Sequence, residues 1–149
     1  METTYKPFDE LTVHELYAIL QLRSEVFVLE QQCLYADMDD KDQQSYHIMM
    51  WDNNVLAAYT RLLPAGVSYD TASIGRVVTS PKMRAKGLGR ALMQYSIDTL
   101  YSLWGKTTIT IGAQYYLRAF YESFGFRKCS DIYIEDGIEH IKMFLTVVP

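Results

Sequence analysis

"SPKMRAKGLGRALM", residues 80–93, gathers Lys82, Arg84, Lys86 and Arg90 around Gly87 and Gly89 without a single acid. The whole chain of 149 residues has a net charge of -4, so this cationic cluster needs a local reason. Upstream, "TASIGRVVTS" (71–80) reads as a strand ended by Pro81. Downstream, at about 100° per residue, Leu88, Leu92, Met93, Ile97, Leu100, Leu103 and Trp104 share one half of a cylinder. Arg90, Gln94, Asp98 and Tyr101 fall on the other half, which predicts a long helix over 87–104. The segment is then a strand-to-helix turn. Such a helix start offers unpaired N–H groups and partial positive charge, a setting for an anion. The two glycines let the backbone approach a ligand closely or take a positive φ. A solvated helix start with a packing glycine is the plainer reading; four cations together favour the anion site.

Reading outward, "TYKPF" (4–8) is a short strand that Pro7 places at a sheet edge. Thr12 and Glu15 have capping-box spacing and open a helix over about 13–30. "SYHIMMW" (45–51) and "VLAAYTRLL" (55–63) read as strands around the turn "DNN", and "KTTITIGA" (106–113) alternates as another. Leu117, Phe120, Tyr121 and Phe124 form the stripe of a short helix ended by Gly125. Two last strands, near 126–134 and 138–147, meet at the turn "EDG". The order β-α-β-β-β-α-β-α-β-β predicts an α/β (α+β) protein with a mixed sheet covered by helices, without internal repeat or linker.

Composition removes several classes. Net charge and scattered bases argue against a nucleic-acid partner. No apolar run approaches the ~20 residues that cross a bilayer. "METTYKPFDE" lacks a basic start followed by an apolar stretch, so no secretory signal is read and the cytoplasm is the expected compartment. Cys33 and Cys129 are too few for a disulfide framework, match no zinc spacing, and are expected as free thiols. No metal site is expected: "DMDDKD" (37–42) lacks the glycine and terminal glutamate of a calcium loop and reads as an exposed acidic loop. Two nucleotide-binding readings also fail. Leu92 stands where a dinucleotide fingerprint needs a third small residue, and Leu100 stands where a Walker A loop ending in "GKT" (105–107) needs its first glycine.

One pattern fits. Arg84-x-x-Gly87-x-Gly89 resembles the Q/R-x-x-G-x-G/A pyrophosphate loop of the GCN5-related N-acetyltransferases (GNAT). "QYYLRAFYESFGF" (114–126) resembles that family's N-x-x-A-x-x-x-Y-x-x-x-G-F segment, with Gln114 and Leu117 in place of the usual Asn and Ala. "LRSEVFVLEQQCLYADMDDKD" (22–42), "SIGRVVTSP" (73–81) and "EDGIEHIKM" (135–143) resemble the ElaA-type branch, so the likeness covers nearly the whole chain. It implies one domain over 1–149, a GNAT fold with about seven strands, and two central strands that splay to admit a cofactor arm.

The resemblance also implies an acyl-CoA-dependent N-acyltransferase that passes acetyl from acetyl-CoA to an amine by direct attack. In that reading Arg84, Ala85, Lys86, Gly87, Leu88, Gly89 and Arg90 hold the pyrophosphate. Val77, Val78 and Thr79 hydrogen-bond the pantetheine arm, a backbone N–H near Val78 faces the thioester oxygen, and Gln114 contacts the arm. Tyr121 aligns with the tyrosine that protonates the leaving thiolate; a core tyrosine is the plain alternative, because Tyr121 lies on the apolar stripe. The acidic loop would lie near the acceptor channel and attract a cationic amine.

The base is open. An alkyl amine of pKa near 10 resists deprotonation at pH 7 by about 4 kcal/mol. Arg23 and Glu30 continue the apolar row of Leu16, Ile19, Leu20 and Phe27, either at the acceptor site or as a structural ion pair at the helix end. His140 and His47 lie in strands, as base candidates or as hydrogen-bonded structural histidines; His14 reads as solvated. Cys33 has no neighbour in sequence to activate it as a nucleophile. Two rival functions stand beside the enzyme: a non-catalytic acyl-CoA-binding sensor or partner-binding domain, and synthesis of an acylated signal, since "RSEVF" loosely resembles acyl-homoserine-lactone synthases. The acceptor is an unidentified amine, and the assembly a monomer or a homodimer.

Overall fold

The computed structural model describes residues 1–84 and 87–147. Strand β1 (Glu2–Pro7) precedes helix α1 (Val13–Arg23), which runs on into a π-helical segment (Ser24–Glu30). Strands β2 (Tyr46–Asp52), β3 (Val55–Leu63) and β4 (Ala72–Thr79) follow, then α2 (Leu88–Trp104), β5 (Ile109–Gln114) and the short α3 (Arg118–Glu122). β6 (Arg127–Lys128), β7 (Tyr133–Glu135) and β8 (Ile138–Leu145) complete one mixed sheet of order β1-β2-β3-β4-β5-β8-β6, with β7 also paired to β8. Among the described residues only β4 and β5 run parallel.

The periodicity of α2 decides its place. Leu88, Leu92, Met93, Ile97 and Leu100 are buried against Ile48, Leu62, Ile74, Ile111, Ile141 and Met143 of the sheet. On the opposite face Ile19, Leu22 and Val26 pack on Met49, Tyr59 and Val78. Each fully buried side chain of this kind contributes about 1.5–3 kcal/mol. The capping box forms as its spacing predicts: Glu15 N–H donates to Thr12 Oγ1 at 3.0 Å, and Thr12 N–H donates to Glu15 Oε1 at 2.8 Å. β1, with Pro7, is an edge strand. In the "EDG" turn Asp136 (φ 52°) and Gly137 (φ 76°) both take positive φ, the backbone that a tight hairpin between twisted strands requires.

Two expectations need correction. α1 does not continue as an α-helix to Glu30. Gln31 N–H donates to Val26 O and Cys33 N–H to Val28 O, both five residues apart, so the turn widens. The wider turn rotates Glu30 off the row that Arg23 continues: Arg23 is fully buried, whereas Glu30 is exposed. The single strand expected over 126–134 is two short pieces. Cys129 N–H still donates to Lys142 O at 2.9 Å, but Lys142 N–H turns to Ser130 Oγ at 2.9 Å, and the side-chain acceptor interrupts the ladder there.

Candidate active site

β4 and β5 pair only at Ala72–Ile109 and Ser73–Thr110, then part. Beyond that point the β4 edge has no strand beside it, and a cleft of about 720 Å³ opens between the strands. That volume lies in the range of small-molecule sites. Val77, Val78 and Thr79 of β4, Gln114 of β5 and Tyr121 of α3 line it. Two helices wedge the gap from one side: α2 over β3 and β4, α3 over β5. On the other side the π-helical segment contributes Phe27 and Glu30 to the wall, and the residue after it contributes Gln31.

β4 is bent at the cleft. Thr79 pairs with Ala58 and Val78 with Tyr59, yet Gly75 pairs with Arg61, so Arg76 and Val77 together oppose Thr60 alone. Such a bulge leaves an extra residue unpaired and sharpens the local bend. Arg76 occupies it at φ 51°, a left-handed conformation that costs a non-glycine residue about 1–3 kcal/mol. Thr60 turns away, its hydroxyl 2.7 Å from that of Ser96 on α2.

The N-terminus of α2 closes one end of the cleft. Gly87 is its cap residue at φ 70°, a conformation that explains glycine here. The first intrahelical bond runs from Ala91 N–H to Gly87 O, so the N–H groups of Leu88, Gly89 and Arg90 lack helical acceptors. A Cβ on Gly89 would meet nothing closer than Phe120 at 3.8 Å, so the protein itself does not demand glycine there. What the missing side chain preserves is space, because Gly89 lines the cleft and a smaller depression shared with Thr79, Arg84, Leu88, Arg90 and Phe120. Ala85 and Lys86 lie outside the described residues. Two expected cofactor cations are engaged elsewhere. Arg84 pairs with Glu30 at 2.6 Å. Arg90 donates to Ser123 Oγ at 2.8 Å and stacks on the Phe124 ring at 4.5 Å, held against the segment that follows α3.

Tyr121 is buried between Phe120 and Phe126, and no hydrogen bond within the described residues involves its hydroxyl. Burial pushes its phenol well above the usual 10, so it holds its proton at any physiological pH. Gln114 exchanges side-chain hydrogen bonds of 3.3 and 3.2 Å with Gln31, linking β5 to the residue after the π-helical segment. His140, the cross-strand partner of Gln114, is buried and lines the cleft. Its Nδ1 lies 2.8 Å from Ile138 O, an acceptor only, so Nδ1 carries the hydrogen. In the neutral ring Nε2 then offers a lone pair, with Glu135 Oε2 at 3.6 Å and the Tyr133 ring stacked at 5.8 Å.

The far end of the cleft holds what local spacing did not predict. "DMDDKD" is no freely exposed acidic loop, because Asp37 and Asp42 are buried. Arg23 Nε lies 2.8 Å from Asp37 and its Nη1 2.7 Å from Asp42; Arg61 reaches Asp39 and Asp42 at 2.8 and 2.9 Å. Arg76 reaches Asp37 at 2.9 Å and Asp39 at 3.3 Å. Three arginines therefore balance three aspartates. Burial alone would raise the carboxyl pKa of Asp39, but hydrogen bonds and charge from Arg61, with charge from Arg76, hold it well below the usual carboxylate range. Arg23 is thus a structural ion partner, though of Asp37 and Asp42 rather than of Glu30. His47 is structural too: its Nε2 donates to Asp42 O at 2.9 Å and its Nδ1 accepts from Tyr59 OH at 2.6 Å. Burial, the largest influence, lowers the His47 pKa.

Arg61, Arg76, Gln31 and Glu135 were missed as site residues. The one available signal was four aspartates, Asp37, Asp39, Asp40 and Asp42, within six residues, a density of negative charge that asks for cations. Both cysteines are free, and Cys33 Sγ lies 3.3 Å from Asp136 O, beside carbonyls that do not activate a thiol. Among the described residues no group of three potential metal ligands gathers, and no helix is long and apolar enough to cross a membrane.

Known proteins bear on this geometry. Residues 10–147 match the family model described as an acetyltransferase (GNAT) domain. A UPF0039 protein of Schizosaccharomyces pombe is 43% identical over 147 residues, covering 97% of each chain. Protein ElaA of Escherichia coli is 42% identical over 141 residues, 93% of this chain and 92% of that one. The crystal structure of an acyl-CoA N-acyltransferase from Pseudomonas aeruginosa superposes with a TM-score of 0.93 at 41% identity, over 97% of this chain and 99% of that one.

Proposed function

The chain belongs to the acetyltransferase (GNAT) family, and we propose that it is an acyl-CoA-dependent N-acyltransferase passing acetyl from acetyl-CoA to an amine. The observation that carries this reading is one continuous cleft. It runs from the open N-terminus of α2, along the β4 edge beyond its pairing with β5, past Tyr121, to His140, whose Nε2 lies near Glu135. A linear thioester fits its chemistry. Bound coenzyme A would supply an activated acyl group and a thiol leaving group.

The chain's residues divide the remaining tasks. The N–H groups of Leu88 and Gly89, with Arg84, hold the pyrophosphate at the helix N-terminus. Arg84 exchanges Glu30 for phosphate as it does so. The backbone of Val77 and Thr79, which flank the Val78 pairing with Tyr59 of β3, receives the amides of the pantetheine arm as a strand edge receives a strand. The Val78 N–H belongs to the ladder with Tyr59 of β3, so the donor to the thioester oxygen, as negative charge develops there, is the adjacent N–H of Val77 at the bulge. His140 takes the amine proton at Nε2, and Glu135 stabilises the cation so formed. The amine nitrogen bonds to the carbonyl carbon, the carbon–sulfur bond breaks, and Tyr121 passes its proton to the departing sulfur. Burial keeps that phenol protonated but also makes it a weaker acid, so the transfer depends on the thiolate departing directly beside it.

The test is release of free thiol from acetyl-CoA against a panel of alkyl amines, peptides and amino sugars, with Tyr121→Phe beside the parent. Amine-dependent release that falls about 10²-fold in the variant supports the assignment. Tight binding without release for any amine supports the sensor reading instead.

A further inference from the structure

Arg76 has a conformation and a set of partners that neither folding of the strand nor direct chemistry explains. A left-handed φ in the middle of a strand is a position for glycine, and Gly75 stands next door at an ordinary φ. The arginine side chain is the reason not to use glycine. Its Nη2 donates to Asp37 O at 2.9 Å and to Asp39 Oδ2 at 3.3 Å, and its Nε lies 2.9 Å from Asp37 Oδ1 without hydrogen-bond alignment. The guanidinium also rests 5.8 Å over the Tyr35 ring.

The partners are themselves fixed. Asp37 is held by Arg23 through both its side chain and its carbonyl, and Asp39 by two hydrogen bonds from Arg61. An acidic loop fixed by ion pairs therefore grips Arg76, the left-handed member of the two-residue bulge. Val77 and Val78 come next, at the point where β4 leaves β5 and lines the cleft.

We propose that Arg76 is a positioning residue for acyl transfer: the carboxylates of Asp37 and Asp39 hold it left-handed, which turns the Val77 backbone toward the cleft while Val78 stays paired with Tyr59. The inference rests on the acyltransferase reading and deepens it, since it assigns the acidic loop a task in orienting the thioester rather than in attracting the amine. Arg76 itself touches no reacting atom.

Binding of acetyl-CoA carrying carbon-13 at the thioester carbonyl tests this without knowledge of the acceptor. Infrared difference spectra report how strongly that carbonyl is hydrogen-bonded. The parent should lower the carbonyl frequency relative to free acetyl-CoA. Arg76→Gly, which tolerates the backbone conformation but lacks the anchor, should lose about half or more of that shift. Its affinity for free coenzyme A should change less than about threefold, because the phosphate end is untouched. Asp39→Asn, a gentler variant, should lose part of the shift, and Arg76→Lys should restore part of what Arg76→Gly loses. An undiminished shift in both Arg76→Gly and Asp39→Asn would overturn the proposal. So would a loss of shift only in proportion to lost coenzyme A affinity and lost thermal stability, which marks a general structural role. A parent that does not bind acetyl-CoA at all would instead bring down the acyltransferase reading, and this inference with it.

Discussion

The two ends of the cleft are built from different materials. The end at the α2 N-terminus is backbone: a glycine at φ 70°, three N–H groups at a helix start, and a strand edge that parts from its neighbour. The opposite end is side chain: three arginines and three aspartates drawn from α1, the 37–42 loop, β3 and β4. Backbone devices need few residue types at short spacing and spend little stability. An ion cage needs several exact partners, and it is tied to the stability of the fold because unpaired buried charge is expensive. Changes at the first end should therefore alter binding and turnover while the protein stays folded; changes at the second should alter folding, with Arg76 and Asp39 affecting the thioester as well.

The sharpest division is Arg23→Ala. It strands Asp37 and Asp42 beside each other with only Arg76 and Arg61 left to them, and should lower the unfolding free energy by about 3–5 kcal/mol in urea denaturation. A loss below about 1 kcal/mol would erase the contrast between the two ends. Tyr121→Phe should do the reverse, reducing kcat about 10²-fold with a stability change within about 1 kcal/mol.

Acid should weaken the ion-cage end in two stages. Burial lowers the His47 pKa in the folded protein, where His47 faces Asp42, Tyr59, Arg23 and Arg61, so the unfolded chain binds the proton first. Stability present above the unfolded value of about 6.5 is then lost as pH falls through it. The depressed carboxyl pKa values of Asp39 and Asp42 act on the same side, and their contribution is lost as pH falls below about 4. Denaturant midpoints measured from pH 8 to pH 3 should decline monotonically, and a midpoint that rose on acidification to pH 5 would contradict the cage. The smallest effect belongs to Glu30→Gln. This exposed partner of Arg84 contributes at most about 1 kcal/mol to stability, and its loss should tighten coenzyme A binding by about two- to fivefold by freeing the arginine for phosphate.

How far each end could be read in advance follows from the same difference. The strand-turn-helix around Gly87, the amphipathic α2 and the capping box at Thr12 are local patterns, and each stands where its spacing predicts. Arg23 was visible as a charge on an apolar row, but its partners lie 14 and 19 residues away, and spacing says nothing about contacts that the fold creates. The widened turn after Arg23 left no mark in the hydrophobic pattern, since it is a change of hydrogen-bond partner. Arg76 was hidden for another reason. Nothing in "SIGRVVTSP" says that the arginine, and not the glycine beside it, takes the left-handed conformation.

The most direct test of the central claim is thermal unfolding with and without acetyl-CoA, beside free coenzyme A and ATP. At 100 times its Kd a ligand adds about 2.7 kcal/mol, which raises the midpoint of a chain this size by about 5–10 °C. Acetyl-CoA and coenzyme A should both produce that rise, and ATP should not. An unmoved midpoint at about millimolar acetyl-CoA would mean that the helix start and the free β4 edge bind no thioester cofactor, and the acyltransferase reading would be wrong.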